Sequence, residues 1–331
     1  MASGGVSGEE ALIARYFKPL ATDAGAFALD DDAAVLKAYG EDVVVTTDAV
    51  VEGVHFLPGD PPDTIARKAL RVNLSDIAAK GATPAGFVLT LALREVDEAW
   101  LAAFAVGLGE DAKAFECPLL GGDTVSTPGP LTVSITAFGR VGEGQIVHRS
   151  GARLGDRVMV TGTIGDAALG LDILKEGPVA GALTNNPAAK ELLVGRYRVP
   201  QPRNALAKVV REHASAAMDV SDGLAGDLTK LCAASSVSAD ISTELIPISV
   251  PAAGLLARNV IGLEMLISGG DDYEILCTVP EAQLAAFTQE AGRAGVVVTA
   301  IGTVNDESHV PRFLDAQGNA IALRRLSYSH F

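Results

Sequence analysis

The stretch AAMDVSDGLAGDL, residues 216–228, sets Asp219 and Asp222 beside an apolar run, Ala216, Ala217, Met218 and Val220, that leads into a helical pattern. A solvated loop has no use for four apolar neighbours around its acids. Ser221 is placed as N-cap of a helix carrying Leu224, Leu228 and Leu231, with Asp219 ahead of it and Asp222 in its first turn. A helix N-terminus also attracts anions such as phosphate, and an ordinary acidic first turn explains the same residues. The conjunction of acid with apolar or glycine neighbours returns at VVVTTDAVVEGVHF, VNLSDIAAKGATP, PLLGGDT and MLISGGDDYEI.

Outward from these motifs the chain alternates strand-like runs, glycine turns and helical patterns, an α/β design. Strands are expected at AAVLKA and DVVVTTD, parted by a turn at Tyr39, Gly40 and Glu41, and again at GFVLTLAL and GPLTVSITAFGRV. CPLLGGD reads as a strand entering a glycine turn. Helices are expected from Asp63 to Gly81 and over VDEAWLAAFAVGLGEDAKAF, and Ser7 to Glu10 fits a capping box. The pattern restarts near Arg149, which places a domain boundary near residue 150: domains 1–150 and 151–331. In the second domain a helix is expected over Asn204 to His213, strands at SADIST, YEILCTV and VVVTAIGTV, and a helix at EAQLAAFTQEAGRAG. The Pro, Gly and Asn of 177–200 read as a mobile loop in its first half. VTGTIGDAALG resembles a phosphate loop, but its glycines serve strand–helix packing equally well. Trp100 shares helical spacing with Phe104 and reads as core or interface.

With 331 residues, 48% apolar and 20% charged, the chain is long enough for two globular domains with a large core. No apolar run approaches a membrane span, and MASGGVSGEE lacks the pattern of a signal peptide. Cys117, Cys232 and Cys277 form neither a metal-ligand pattern nor a disulfide framework, so a reducing cytoplasm is the expected setting. A net charge of −15 argues against nucleic acid as a partner. Most informative is where the acids sit. Ile65, Ala69, Val72, Asp76 and Ala79 fall on one helix face, so Asp76 lies on an apolar stripe, where a carboxylate pairs, protonates or binds metal. Lys80, one turn on, is the structural alternative. Asp48 and Asp123 read as acids presented where strands leave a sheet, or as capping and turn residues. Gly121 and Gly122 suggest a close backbone approach or a tight turn. In DDDAAV three adjacent acids lead into a strand, which a bound cation or a solvated turn resolves. Together these acids, without His or Cys at ligand spacing, form an all-oxygen set suited to Mg²⁺ or Mn²⁺, and several such ions imply phosphates nearby.

DDDAAV, TTDAVVEGVHF, VNLSDIAAKGATP, GGDT, RSGARLGD, DVSDGL and SGGDDYEI occur in the order of the thiamine-monophosphate kinase family, which the chain resembles from about residue 7 to SYSHF. That family shares a superfamily with aminoimidazole ribonucleotide synthetase, selenophosphate synthetase and a hydrogenase-maturation protein. The resemblance implies a two-domain aminoimidazole ribonucleotide synthetase-like fold, with an N-terminal α/β domain that binds ATP and Mg²⁺ and dimerises through its sheet. It implies as well a C-terminal α/β domain that completes the active site. It implies transfer of the γ-phosphoryl group of ATP to thiamine monophosphate by a homodimer using several Mg²⁺ ions. By the same resemblance the metal ligands are Asp31, Thr46, Thr47, Asp48, Asp76, Asp123, Asp219 and Asp222. ATP contacts are Gly121, Gly122, Arg149 and Ser221, and thiamine contacts are His55, Asp271 and Tyr328. On the residues alone, His55 fits a structural role as well as a contact, and Arg149 fits a surface turn. Asp30 stands where the family has Gly, and Asp271 precedes Asp272 where the family often has Glu-Asp. No GxxxxGK[ST] loop and no HRD or DFG set is present, which excludes P-loop and protein kinases. Two other readings remain: a sister ATP-dependent synthetase, disfavoured by the missing reactive Cys near the N-terminus and by the terminal Phe331, and a non-catalytic binder of metal or nucleotide.

Overall fold

The computed structural model describes residues 12–23, 26, 38–306 and 310–327. The expected capping box at Ser7, the strand AAVLKA, and residues Asp30, Asp31, Asp32 and Tyr328 fall outside them. Contacts divide the chain into one unit of Met1–Ile77 with Thr83–Glu143, and a second of Ala78–Ala82 with Gly144–Phe331. Both are mixed α/β. Among the described residues no helix is long and apolar enough to cross a membrane.

The first unit holds β1 (Glu41–Val51), β2 (Thr83–Leu93), β3 (Leu119–Ser126) and β4 (Thr132–Gly142) in the order β1-β4-β2-β3. Strand β4 is antiparallel to both neighbours, while β2 and β3 are parallel. Their crossover is the helix Glu98–Ala114, whose start Asp97 caps by accepting the Ala99 and Trp100 N–H groups. Strict alternation assigns the faces. Val133, Ile135, Ala137 and Val141 of β4 are buried together with Phe87, Leu89, Leu91 and Leu93 of β2. The helices Pro62–Ala79 and Glu98–Ala114 bury Ile65, Ala69 and Val72, and Leu101, Phe104 and Leu108. They approach closely at Gly107, where a Cβ would lie 2.5 Å from the Asp63 carbonyl oxygen. Asp111, 1% exposed, joins them by accepting from Arg67 at 2.8 Å and from Arg71 at 2.5 and 2.8 Å. Trp100 stacks on Phe104 with centroids 4.9 Å apart.

The second unit holds β5 (Arg157–Thr161), β6 (Ala216–Asp219), β7 (Ser238–Ser242), β8 (Ile275–Val279), β9 (Val298–Asn305) and β10 (Arg312–Leu314) in the order β10-β7-β9-β5-β8-β6. Only the β10–β7 pair is parallel. The sheet is covered on both faces: Val158, Val160, Met218 and Leu276 pack with Leu169, Leu193, Leu224 and Leu228, while Met159, Ala217, Ile275 and Cys277 pack with Val209, Val210 and Phe287.

Four local expectations are corrected. Residues 177–200 are not a loop but contain the helices Pro178–Ala182 and Pro187–Arg198. Their prolines occupy the first helical turn, where the missing N–H is not needed, and Asn186 caps the second by accepting from Ala189 at 3.1 Å. Gly121 and Gly122 do not turn; β3 runs through them to Ser126. Asp48 does not end its strand, since β1 continues to Val51. The helix after the opening stretch starts at Leu224 with Gly223 as N-cap, so Ser221 and Asp222 lie in the turn ahead of it. Gly223 adopts φ +113, and a Cβ there would lie 2.8 Å from the Ser268 carbonyl carbon. Asn204–His213 is a 3₁₀ turn, Asn204–Leu206, followed by the helix Ala207–His213. The helices Val250–Ala257 and Leu263–Ile267 and strand β10 are additions to the expected elements.

Candidate active site

In the first unit, Val44, Thr46, Asp48 and Val50 share one face of β1. The two valines are buried, Thr46 is half-buried and Asp48 is exposed. The Thr46 hydroxyl donates to Asp76 Oδ2 at 2.5 Å, so the stripe-facing carboxylate of the helix Pro62–Ala79 is met by a strand hydroxyl. Lys80 donates to the Ala217 carbonyl at 2.8 Å. Thr47 points to the opposite face, where its hydroxyl accepts from Thr136 at 3.0 Å and donates to the Ile135 carbonyl at 3.2 Å.

Asp123 is exposed on β3, in register with Thr90. A Cβ on Gly122 would sit 1.9 Å from the Leu89 carbonyl oxygen, so this glycine permits the β2–β3 approach, while a Cβ on Gly121 meets nothing nearer than 4.0 Å. The register runs Asp48–Ile135–Leu89–Gly122 across the sheet, which puts Asp48 and Asp123 on opposite edges. Three strand spacings, about 14 Å, separate them along the sheet. His55 follows β1 after Gly53, and its Nδ1 accepts the Val51 N–H at 3.1 Å. That nitrogen is therefore unprotonated, and Nε2 carries the hydrogen. Lys68, 2% exposed, secures the same turn by donating to the His55 carbonyl at 2.8 Å.

In the second unit, the opening stretch and SGGDDYE form one backbone-bonded assembly. The Val220 N–H donates to the Glu274 carbonyl, Tyr273 N–H to Val220 and Asp271 N–H to Ser221, each at 2.8 Å. Asp219, 4% exposed, ends β6 beside this ladder. Asp271 and Tyr273 take left-handed φ values of 73° and 50°, a strained arrangement of the kind concentrated at functional loops. The strain sends neighbouring acids in different directions. Asp271 is half-exposed, whereas Asp272 is buried and accepts the Gly165 N–H at 2.7 Å, holding the start of the helix Asp166–Leu174. Burial pushes the Asp272 carboxyl well above the usual range, opposed by the bond from Gly165. Arg149 is exposed in a turn clamped by Ser235, whose hydroxyl donates to the Arg149 carbonyl at 2.8 Å and accepts from Gly151 and Ala152 at 3.1 and 3.2 Å. The turn borders a cavity of about 510 Å³ lined by Gln145, His148, Ser150, Arg211 and Ser215 among others.

Residues 30–141 match the N-terminal domain, and residues 153–314 the C-terminal domain, of the AIR synthase related proteins. The chain is 43% identical to the thiamine-monophosphate kinase of Caulobacter vibrioides over 324 residues, 96% of this chain and 89% of that protein. It belongs to the thiamine-monophosphate kinase family. Among solved structures, the thiamine-monophosphate kinase from Stenotrophomonas maltophilia K279a resembles it with a TM-score of 0.79 at 39% identity, covering 88% of this chain and 91% of that one. AaThiL complexed with AMPPCP and TMP gives a TM-score of 0.76 at 29% identity, covering 91% of each chain.

Within this member of the thiamine-monophosphate kinase family, sequence reasoning missed two polar clusters. Glu274, fully buried, accepts from Thr161 at 2.5 Å, Arg196 at 2.6 Å and Arg203 at 2.5 and 2.6 Å, anchoring the SGGDDYE segment. Asp227 and Lys230 lie on the helix Leu224–Ser235 and engage Asp222. Burial raises the Asp227 carboxyl above its ordinary value, opposed by Lys230. For Lys230 burial acts downward, but the bonds to Asp222 and Asp227 leave it raised. The Asp227 signal was available, since it adjoins Leu224, Leu228 and Leu231 on the apolar stripe. The described residues contain one set of three or more His, Cys, Asp or Glu ligand atoms within 4.8 Å of one another: Glu212, His213 and Glu290. Among the described residues, the carboxylates of Asp48, Asp76, Asp123, Asp219 and Asp222 are thus not gathered into such a trio.

Proposed function

We propose that the chain transfers the γ-phosphoryl group of ATP to the phosphate of thiamine monophosphate, forming thiamine diphosphate and ADP. One observation carries this reading: near full-length likeness to thiamine-monophosphate kinases, with a structural neighbour holding AMPPCP, an ATP analogue, together with TMP. The acceptor is a phosphate monoester whose second pKa is about 6, so its oxygen is anionic at neutral pH and needs no general base. The obstacle is bringing two polyanions into line.

Mg²⁺ fits the residues present. Their donors are oxygen atoms alone, and Thr46 keeps lone pairs for a cation while its hydrogen points to Asp76. When bound, Mg²⁺ would neutralise phosphate charge and align the transferring group. Asp31, Thr46, Thr47, Asp48, Asp76 and Asp123 would hold it in the first unit, and Asp219 and Asp222 in the second. Thr47 is the weakest member, because its hydroxyl is engaged on the other face of β1. Gly121, Gly122, Arg149 and Ser221 would contact ATP. His55, through Nε2–H, Asp271 and Tyr328 would contact the thiamine. Residues 1–150 and 151–331 would form the ATP/Mg-binding and the completing domain, in a cytoplasmic enzyme.

The homodimer belongs to the same proposal. The open face of β1 exposes Val43 and Val45 at 37% and 57%. With Asp48 and Asp123 on opposite sheet edges, one ion with ligands at about 2 Å cannot join both within a chain, whereas a second copy's edge can supply the missing acid. The test is an assay of purified protein with ATP, Mg²⁺ and thiamine monophosphate, beside free thiamine and metal-free controls. Equal amounts of ADP and thiamine diphosphate, lost without Mg²⁺, are expected. ADP and inorganic phosphate without the diphosphate would point to a sister synthetase, and bound Mg-ATP without ADP to a binder.

A further inference from the structure

Asp222 is held at its backbone N–H by a buried carboxylate, Asp227, and at its side chain by Lys230, which the same carboxylate binds. Asp227, 0% exposed, accepts the Asp222 backbone N–H at Oδ2, 2.9 Å, and the Lys230 ammonium at Oδ1, 2.7 Å. The same ammonium reaches Asp222 Oδ2 at 2.5 Å. Asp227 also donates its own N–H to the Gly223 carbonyl at 3.0 Å, closing the turn. Two carboxylates so placed repel unless a cation lies between them, and here that cation is supplied by the chain. The Lys230 and Asp222 side chains remain 41% and 36% exposed, so a solvated ion reaches this pair without unfolding.

We propose that Lys230 is a tethered stand-in for a divalent cation at Asp222, holding the carboxylate in place in the metal-free protein and releasing it when the metal arrives. The proposal rests on reading Asp222 as a metal ligand. Release leaves the turn intact, because Asp227 still holds the Asp222 N–H and keeps Lys230 on its other oxygen. Lys230 is then a positioning residue that sets how much divalent ion this arm requires: a bound ammonium competes for the oxygen and repels the incoming charge.

Mn²⁺ binding to metal-free, nucleotide-free protein, read from the EPR signal of free Mn²⁺, tests this without turnover. Asp222→Asn should weaken or abolish one class of sites. In Lys230→Met that class should tighten, by about threefold or more for loss of one partly screened charge. Lys230→Arg, which keeps a cation in reach, should stay near wild type. Because Lys230→Met strands the buried Asp227, the double variant Lys230→Met/Asp227→Asn keeps the acceptor for the Asp222 N–H without the charge. It should also bind Mn²⁺ more tightly. Unchanged or weaker binding in both Met variants, with Asp222→Asn still deficient, would overturn the stand-in role and leave Lys230 a brace for the turn. An Asp222→Asn protein with wild-type Mn²⁺ binding would instead remove Asp222 from the ligand set, and the proposal with it.

Discussion

Replacing Thr46 by Val removes a hydrogen-bond donor, and with it the hydroxyl oxygen proposed to face the ion, while leaving the shape of β1 almost unchanged. Thr46 gives its hydrogen to Asp76 Oδ2 at 2.5 Å and sits half-buried between Val44 and Asp48 on the strand face. A hydrogen bond to a charged group contributes about 1.5–3 kcal/mol. If Asp76 and Thr46 serve a divalent ion, that energy appears mainly in metal affinity, since an unrestrained carboxylate must be ordered by the ion itself. At about 1.4 kcal/mol per tenfold, loss of the orienting bond alone should raise the half-saturating Mg²⁺ concentration about 10- to 100-fold, and loss of the ligand oxygen adds to that. Melting temperature should change little, because the pair is not fully buried. The assay is initial rate of thiamine diphosphate formation against free Mg²⁺ at saturating ATP, for wild type, Thr46→Val and Thr46→Ser. The serine retains the hydroxyl and should stay within a few-fold of wild type. A valine variant with the wild-type Mg²⁺ dependence would refute the reasoning, as would equal losses in the serine and valine variants.

Asp111→Ala should destabilise the first unit by about 3–5 kcal/mol, read by chemical denaturation, because it removes the buried carboxylate that accepts from both Arg67 and Arg71. Asp272→Asn should be at least as stable as wild type at pH 8. The raised carboxyl pKa means that wild type loses stability as pH rises from the unfolded value near 4 toward the folded one, so thermal melts of the two should converge near pH 4. Burial pushes Cys117, Cys232 and Cys277 up to about 12, so a thiol reagent at pH 8 should label none of them until denaturant is added. Mixing Asp48→Asn and Asp123→Asn chains by co-expression should restore up to about a quarter of wild-type activity if each site draws on two copies. No restoration would confine the site to one chain.

Local patterns revealed what local physics controls. The spacing of Ile65, Ala69, Val72 and Asp76 exposed a carboxylate on an apolar stripe, and the structure provides it with the Thr46 hydroxyl. The same test applied to Leu224, Leu228 and Leu231 points to Asp227, but the more conspicuous Asp222 and a cap expected at Ser221 obscured it. Pro178, Asn186 and Pro187 suggested a loop because turn formers and helix starters are the same residue types; the residues on their C-terminal side decide between the two. Gly121 and Gly122 left a close backbone approach and a tight turn both open, because nothing in their own segment shows that Leu89 of a neighbouring strand lies against Gly122; the close approach is what the structure has. Glu274 was invisible for a similar reason: its partners Arg196 and Arg203 are 78 and 71 residues away in sequence. Thr47 and Thr46 look equivalent in the sequence, yet strand alternation sends their hydroxyls to opposite faces.

The central claim is direct transfer of phosphate from ATP to thiamine monophosphate, and the most direct test is to follow the phosphorus. Protein incubated with γ-³²P-labelled ATP, Mg²⁺ and thiamine monophosphate should place the label in the terminal phosphate of thiamine diphosphate, one per ADP formed, with none on the denatured protein. Label recovered as inorganic phosphate, or held covalently on the chain, would contradict it.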